Sequence, residues 1–309
     1  MDSQYELAII GGGPAGVSAG VYAARKKLKT VLLTFDFESQ SAVSENIQNW
    51  IGTPSISGAN FAKNLENHLR TYEGEDLKII TGAKAIDIKK NADSFSVITT
   101  EGNFNAKTIL IATGSTRRKL EVKGADTFEH KGLTYCATCD GPLYGDADVI
   151  VVGGGNAAFE SAAQLSAYCK SVTIINRSEK FRADAVTVEK VLSKPNVKAI
   201  KNAVPFEVKG DKFVNGFSYK NALNSEIVDI PVTGIFVEIG LIPSTDFAKN
   251  IIELNKAGQI TVDPKTQQTK IQGIWAAGDC TDGLYHQNNI SSGDAVKALE
   301  DIYINIHTR

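Results

Sequence analysis

"LAIIGGGPAGVSAG", Leu7 to Gly20, decides the fold. An apolar run meets three consecutive glycines and leaves them in a stretch of small residues, the pattern of a strand turning tightly into a helix. A second apolar run, "LKTVLLTF" (Leu28 to Phe35), follows, so the segment reads strand, helix, strand. The chain then repeats it. "VIVVGGGNAAFESA" (Val149 to Ala162) leads to "CKSVTIINR" (Cys169 to Arg177), and in each copy the second strand starts nineteen residues after the first glycine of the triplet. Both copies fit G-x-G-x-x-G/A, with Gly11, Gly13 and Gly16 in the first and Gly153, Gly155 and Ala158 in the second. A tight turn and close backbone approach to a pyrophosphate need glycine, and the third position must be small for helix to pack on strand. The phosphate then sits on exposed N–H groups at the positive end of the helix. Two copies in matching context imply an α/β protein with two Rossmann-like dinucleotide-binding domains.

With 309 residues, 42% hydrophobic and 22% charged, the chain can bury the cores of two such domains. A formal charge of -2, with acids and bases interspersed, offers no basic face for nucleic acid and no polybasic membrane anchor. No stretch approaches eighteen uninterrupted apolar residues, so no membrane-spanning helix is expected. The opening "MDSQYELAII" lacks the positive n-region and long apolar h-region of a secretory signal, and the cytoplasm is the expected compartment.

Reducing buffers there disfavour structural disulfides, which gives weight to "TYCATCDGPLYG" (Thr134 to Gly145), where Cys136 and Cys139 stand two residues apart. A zinc site needs four ligands, whereas Cys169 and Cys280 have no such neighbour and the four histidines are scattered, so no metal is expected. A structural staple across two residues would close almost no loop. A redox pair remains, and a small ring that opens and closes readily suits thiol–disulfide exchange.

Elsewhere, "FSVITTEGNFNAKTILIATGS" (Phe95 to Ser115) reads as a hairpin turning near Glu101-Gly102, then a buried strand ending at Gly114. "GQITVDPKTQQTKIQGIWAAGDC" (Gly258 to Cys280) shows another strand pattern, and a helix is expected from about Asn288 to the C-terminus. Trp50 and Trp275 lie in apolar stretches and are expected in the core, as is Cys280. Glycine and proline interrupt strands near Gly114 and at Gly240 to Pro243, which places the second βαβ unit inside an insertion within the first domain.

The order "GGGPAG", "IATGS", "CATCDG", "GGGNAA" and "AAGDC…YHQ" resembles low-molecular-weight bacterial thioredoxin reductases and the related reductase portion of the F component of alkyl hydroperoxide reductase. The resemblance covers essentially the whole chain. It implies a homodimeric flavoenzyme with FAD bound by a split domain, 1–114 and 244–309, around an NAD(P)H-binding domain, 115–243, that carries the Cys-x-x-Cys. It further implies that the two domains rotate to bring first the disulfide and then the nicotinamide to the flavin. Electrons would run from NADPH, or NADH, through FAD and Cys136-Cys139 to thioredoxin. "YCATCDGP" and "GIFVEIGLIP" (Gly234 to Pro243) also look like the peroxide-linked relative, so a peroxiredoxin-linked or glutaredoxin-like partner is the second expectation. A dithiol oxidase of the same fold would run electrons backwards to oxygen.

Carried over residue by residue, the resemblance sets Gly11, Gly13, Pro14, Ala15 and Gly16 against the FAD pyrophosphate, with Ala112, Thr113 and Gly114 on the crossing strand. Gln40, Asn49, Gly278, Asp279, His286, Gln287 and Asn288 would lie along the ribityl chain and flavin ring. Gly153, Gly155, Asn156 and Ala158 would hold the nicotinamide dinucleotide. Cys139 falls on the flavin side, Cys136 attacks the substrate disulfide, and Asp140 serves as acid or base, a role for which burial must raise its pKa. Four stretches depart from the family pattern. Glu38-Ser39-Gln40 replaces Gly-Gly-Gln beside the flavin, Phe35 occupies the usual acidic position at the strand end so that Asp36 next to it is the candidate to hold the adenine ribose of FAD, and His286 replaces Arg in Tyr285-His286-Gln287. In "NRSEKFR" Arg177 and Arg182 remain to clamp a 2'-phosphate while Ser178 replaces the middle arginine, a pattern that favours NADPH.

Overall fold

The protein is described from a computed structural model covering residues 5–44 and 47–308. It divides into two compact units, one of Met1–Thr116 with Ile242–Arg309 and one of Arg117–Leu241.

In the first unit the strands β1 (Tyr5–Ile10), β2 (Thr30–Leu33), β3 (Leu77–Ile80), β4 (Ala85–Lys90), β5 (Phe95–Thr99) and β6 (Gly102–Ile111) lie in the order β3-β2-β1-β6-β5-β4. Helix α1 (Pro14–Arg25) carries the crossover from β1 to β2, and α2 (Gly58–Arg70) precedes β3. The strands β1, β2, β3 and β6 pair in parallel, whereas β5 returns on β6 as the expected hairpin. Period-two alternation sends Leu7 and Ile9 into one core and Ala8 and Ile10 into another, so this central strand is apolar on both faces. The first core is capped by Ala15, Ala19 and Ala23 of α1, small residues that let the helix lie close to the sheet.

The short strand β7 (Ser115–Arg117) marks the first crossing between units. The second unit then comprises α3 (Ala125–Phe128), β8 (Leu133–Thr134), α4 (Ala137–Asp140), β9 (Asp148–Val152), α5 (Asn156–Leu165), β10 (Ser171–Ile175), α6 (Ala185–Leu192), β11 (Val197–Ile200), β12 (Ala203–Gly210), β13 (Val214–Asn221), β14 (Ile227–Ile230) and β15 (Gly234–Val237). Its parallel sheet has the order β11-β10-β9-β15-β8, and β12-β13-β14 form a separate antiparallel meander. Val149 and Val151 pack with Phe159, Ala162 and Leu165 of α5, while Ile150 and Val152 pack on the opposite face with Phe217 and Tyr219 of the meander.

The chain crosses back at β16 (Leu241–Pro243), adds β17 (Ile274–Ala276) beside β6, and ends in α7 (Asn288–Thr308), whose Ala295, Leu299 and Ile302 join α1 on the first core. The expected strand pattern over Gly258 to Cys280 reduces to β17 and isolated bridges such as Val262–Thr269, because turns at Asp263–Gln268 interrupt any longer ladder. Trp275 is fully buried, but Trp50 is only partly so, packing edge-on against Phe61 at 5.0 Å. Cys280 is buried as expected. No helix among the described residues is long and apolar enough to cross a membrane.

Candidate functional site

Both glycine triplets sit where strand order reverses, at the carboxyl ends of a parallel sheet, and that is where open α/β sheets bind ligands. In the first unit Gly11 ends β1 with φ 122°, a conformation that a side chain disfavours. A Cβ on Gly16 would lie 1.9 Å from the Gly11 carbonyl oxygen, so any larger residue would push α1 off the turn. Gly13 differs: a Cβ there would meet only Ser39, at 3.7 Å. It caps α1 without a side-chain hydrogen bond, and Pro14 follows, leaving the first-turn N–H groups of α1 without a side-chain acceptor over a free ledge. Beside it, Ser39 Oγ is a buried hydroxyl without a hydrogen-bond partner among the described residues. An open ledge beside an orphan hydroxyl fits a bound phosphate.

The second cradle has the same form. A Cβ on Gly153 would lie 2.4 Å from the Glu238 carbonyl oxygen, whereas one on Gly155 would meet nothing within 4 Å, and Gly155 likewise caps α5 without a side chain. Ala158 is fully buried against the strand. Asn156 Nδ2 donates to Asp184 Oδ2 at 2.9 Å, and the Arg182 N–H donates to the Gly154 carbonyl at 2.7 Å, so the loop bearing the two arginines is tied to the cradle. Arg177 and Arg182 are exposed, and neither guanidinium forms an ion pair among the described residues. Asn176 is buried and turned inward, donating to the carbonyls of Ser178 at 2.6 Å and Lys180 at 3.2 Å. Glu179 is held by Asn202 at 2.6 Å.

The thiol pair lies between β8 and Asp140. Cys136 and Cys139 form a disulfide with Cα atoms 5.3 Å apart, and both are partly exposed. The Cys139 N–H donates to Cys136 Sγ at 3.2 Å, a contact that favours negative charge on that sulfur once the bond opens. The Thr134 hydroxyl donates to Asp140 Oδ2, and the Asp140 N–H donates to the Cys136 carbonyl at 3.0 Å. The remaining thiols are buried, and burial pushes both Cys169 and Cys280 up to about 11.

The profile of the pyridine nucleotide-disulphide oxidoreductases matches residues 5–296. The chain belongs to that family. Among solved structures it is similar to a thioredoxin reductase from Streptococcus pyogenes, at 30% identity and TM-score 0.91 over 100% of both chains. A thioredoxin reductase from Giardia duodenalis shows 31% identity and TM-score 0.92 over 99% of each. Among sequences it is 38% identical over 296 residues to the F component of alkyl hydroperoxide reductase from Staphylococcus epidermidis, and 36% identical over 295 residues to an NADH dehydrogenase from Bacillus subtilis. Those alignments take in 95% of this chain but 57% of either relative, so the chain spans little more than half the length of both.

In this pyridine nucleotide-disulphide oxidoreductase, several expected site residues of the first unit are held by hydrogen bonds to residues remote along the chain. Asn49 Nδ2 donates to Gln287 Oε1 at 3.0 Å, Ser41 donates to Asn288 Oδ1 at 2.9 Å, and Asn289 Nδ2 donates to the Asn49 carbonyl at 2.7 Å. Asp279 accepts from Ser291 at 3.2 Å, with His286 Nδ1 3.5 Å away, and Gly278 has φ 76°. Gln40 Nε2 donates to Ser115, and Thr113 donates to the Ser244 carbonyl at 2.7 Å. Ala112 hydrogen-bonds to Ile10, and the Gly114 carbonyl accepts from Ser244 at 3.0 Å. Ala15 is buried within 3.5 Å of where a Gly278 Cβ would stand. Asp36 stands apart, exposed beyond the end of β2, its carboxylate accepting from the Glu38 N–H at 2.9 Å. Reading the sequence did not single out Ser41, Asn289, Asp184, Ser161 or Glu238, whose partners are remote along the chain and carry no spacing signal.

Proposed function

We propose that the chain is a disulfide reductase that holds FAD on the Gly11–Gly16 cradle and NADPH on the Gly153–Ala158 cradle, and reduces a thioredoxin-like protein through Cys136 and Cys139. One observation carries this reading: a partly exposed Cys-x-x-Cys disulfide lies in the same unit as an open dinucleotide ledge. When bound, FAD would relay the two electrons of a nicotinamide hydride to that disulfide.

The chain's own residues do the rest. Gly13 and Gly155 leave room for the two pyrophosphates, and Arg177 and Arg182 supply free cations for a 2'-phosphate, while Asn176 leaves no acid at the strand end to accept from ribose hydroxyls. In the reduced protein, the Cys139 N–H stabilises the Cys136 thiolate. That thiolate attacks one sulfur of the partner's disulfide, forming a mixed disulfide as the partner's other sulfur leaves and takes a proton, for which Asp140, oriented by Thr134, is the donor. Cys139 then attacks Cys136, restoring the internal disulfide and releasing the partner as a dithiol.

The cytoplasm, where thiols stay reduced, fits such a carrier. A peroxiredoxin-linked reductase using NADH is the second reading, favoured by the likeness to the alkyl hydroperoxide reductase component and to NADH dehydrogenase. The resemblance to thioredoxin reductases also suggests a homodimer. Anaerobic titration of the FAD-loaded protein with NADPH and with NADH, followed by transfer to thioredoxin or a peroxiredoxin, tests the reading. Bleaching by NADPH and turnover of thioredoxin support it; bleaching by NADH alone with turnover of the peroxiredoxin supports the second. No bleaching by either nucleotide rejects both.

A further inference from the structure

The two cradles share a geometry, and one difference between them lies on the strand that faces each glycine turn. After β6 comes Ala112, whose N–H donates to the Ile10 carbonyl at 2.8 Å and whose own carbonyl oxygen lies 2.2 Å from a Cβ built on Gly11. After β15 comes Glu238, whose N–H donates to the Val152 carbonyl at 2.8 Å and whose carbonyl oxygen lies 2.4 Å from a Cβ built on Gly153. Ala112 and Glu238 are therefore equivalent, each facing its glycine turn across the point where strand order reverses. In the first cradle that wall is a methyl group. In the second it is a carboxyl group.

Glu238 Oε1 accepts from Ser161 on α5 at 2.8 Å. The other oxygen, Oε2, has no hydrogen-bond partner among the described residues, and the side chain is only partly covered. Burial pushes the group up to about 6, against the Ser161 hydrogen bond and the Arg117 guanidinium, which favour the carboxylate, and with help from the Glu160 charge, which opposes it. An ionised group in such a place works against the fold at neutral pH, and residues of that kind concentrate at functional sites.

A dinucleotide on this cradle sets its pyrophosphate at Gly155 and its adenosine toward the end of β10, where Arg177 stands. Its other half must then cross the end of β15. We propose that Glu238 faces the nicotinamide nucleoside and that its carboxylate holds the oxidised, cationic ring in preference to the neutral reduced one. The proposal rests on reading the second cradle as a pyridine nucleotide site. Such a contact favours the nucleotide left after the hydride has gone, and so draws electrons into the protein.

The test is calorimetric binding to the FAD-loaded protein of NADP⁺ and its 1,4,5,6-tetrahydronicotinamide analogue, whose ring is neutral and gives no hydride, with NAD⁺ and its corresponding analogue taking their place if the NADP pair does not bind. In the wild type, lowering the pH from 7.5 to 5.0 should weaken NADP⁺ by about fivefold relative to the analogue, the size expected of one partly exposed charge pair. Glu238→Gln should show that weakened ratio at pH 7.5 and keep it at pH 5.0. Equal weakening of both probes in Glu238→Gln, or no change in their ratio, overturns the proposal while leaving the nucleotide site standing. If the wild type binds neither NADP⁺ nor NAD⁺ and neither reduced analogue, the nucleotide reading itself fails and the role of Glu238 falls with it.

Discussion

Asn156 and Asp184 bind each other twice: Asn156 Nδ2 donates to Asp184 Oδ2 and the Asp184 N–H donates to Asn156 Oδ1, both at 2.9 Å. This pair fastens the first residue of α5 to the far end of the loop that carries Arg177 and Arg182. Asn156→Ala should free the loop and raise the Kd for NADPH by about tenfold, on the scale of losing two hydrogen bonds, one of them to a charged group. The protein's flavin affinity should stay within twofold. Equilibrium binding of each nucleotide checks both statements.

Gly13 and Gly155 offer a cleaner separation, because a side chain at either has room in the protein but occupies the ledge. Gly13→Val should fold and lose FAD; Gly155→Val should fold, keep FAD and lose bleaching by NADPH. Gly16→Ala, with its Cβ 1.9 Å from a backbone oxygen, should instead lower the thermal midpoint of the unit. Flavin content by absorbance and melting by circular dichroism distinguish the three.

Cys136→Ser should abolish reduction of a protein disulfide while bleaching of the flavin by NADPH continues, since the donor side does not need that sulfur. Asp140→Asn should slow disulfide transfer by about a hundredfold, the lower range for a positioned acid. Thr134→Val, which removes only the hydroxyl that orients Asp140, should cost less. Single-turnover mixing with a disulfide substrate ranks them.

Glu238 links stability to pH. Its folded pKa of about 6 stands above the usual 4.5, so the fold favours the protonated form. The cost of ionising it is absent below about pH 4.5, grows between 4.5 and 6, and is complete above 6, where it reaches about 2 kcal/mol. Glu238→Gln should therefore gain stability over the wild type at pH 7.5 and lose that advantage by pH 4.5. Paired urea denaturations at the two pH values measure it.

With thiols pushed up to about 11 and buried, Cys169 and Cys280 should resist iodoacetamide in the folded protein at pH 7.5. Prior reduction should expose two fast-reacting thiols, Cys136 and Cys139, countable by intact mass.

Patterns carried by neighbours along the chain were legible without the structure. The paired glycine triplets, the hairpin at Phe95 to Ile111, the helix from Asn288 and the Cys-x-x-Cys are all local arrangements, and local sterics are enough to dictate them. The strand pattern over Gly258 to Cys280 is only partly realised: Ile274–Ala276 forms a strand beside β6, while the turns at Asp263–Gln268 limit the rest to isolated bridges. Trp50 was misread as core because an apolar stretch says nothing of what covers it.

Tertiary structure alone decided what meets what. Asn49 reaches Gln287, Asn156 reaches Asp184, and Ser161 reaches Glu238 across 238, 28 and 77 residues, and no periodicity encodes such distances. Glu238 is the clearest case. In the sequence it is one acid in "GIFVEIGLIP"; only the parallel pairing of β15 with β9 sets it opposite Gly153, in the place that Ala112 fills opposite Gly11. Chain-local geometry follows from residues in order, whereas the environment that perturbs a carboxyl group is built by strands and helices that the chain brings together only on folding.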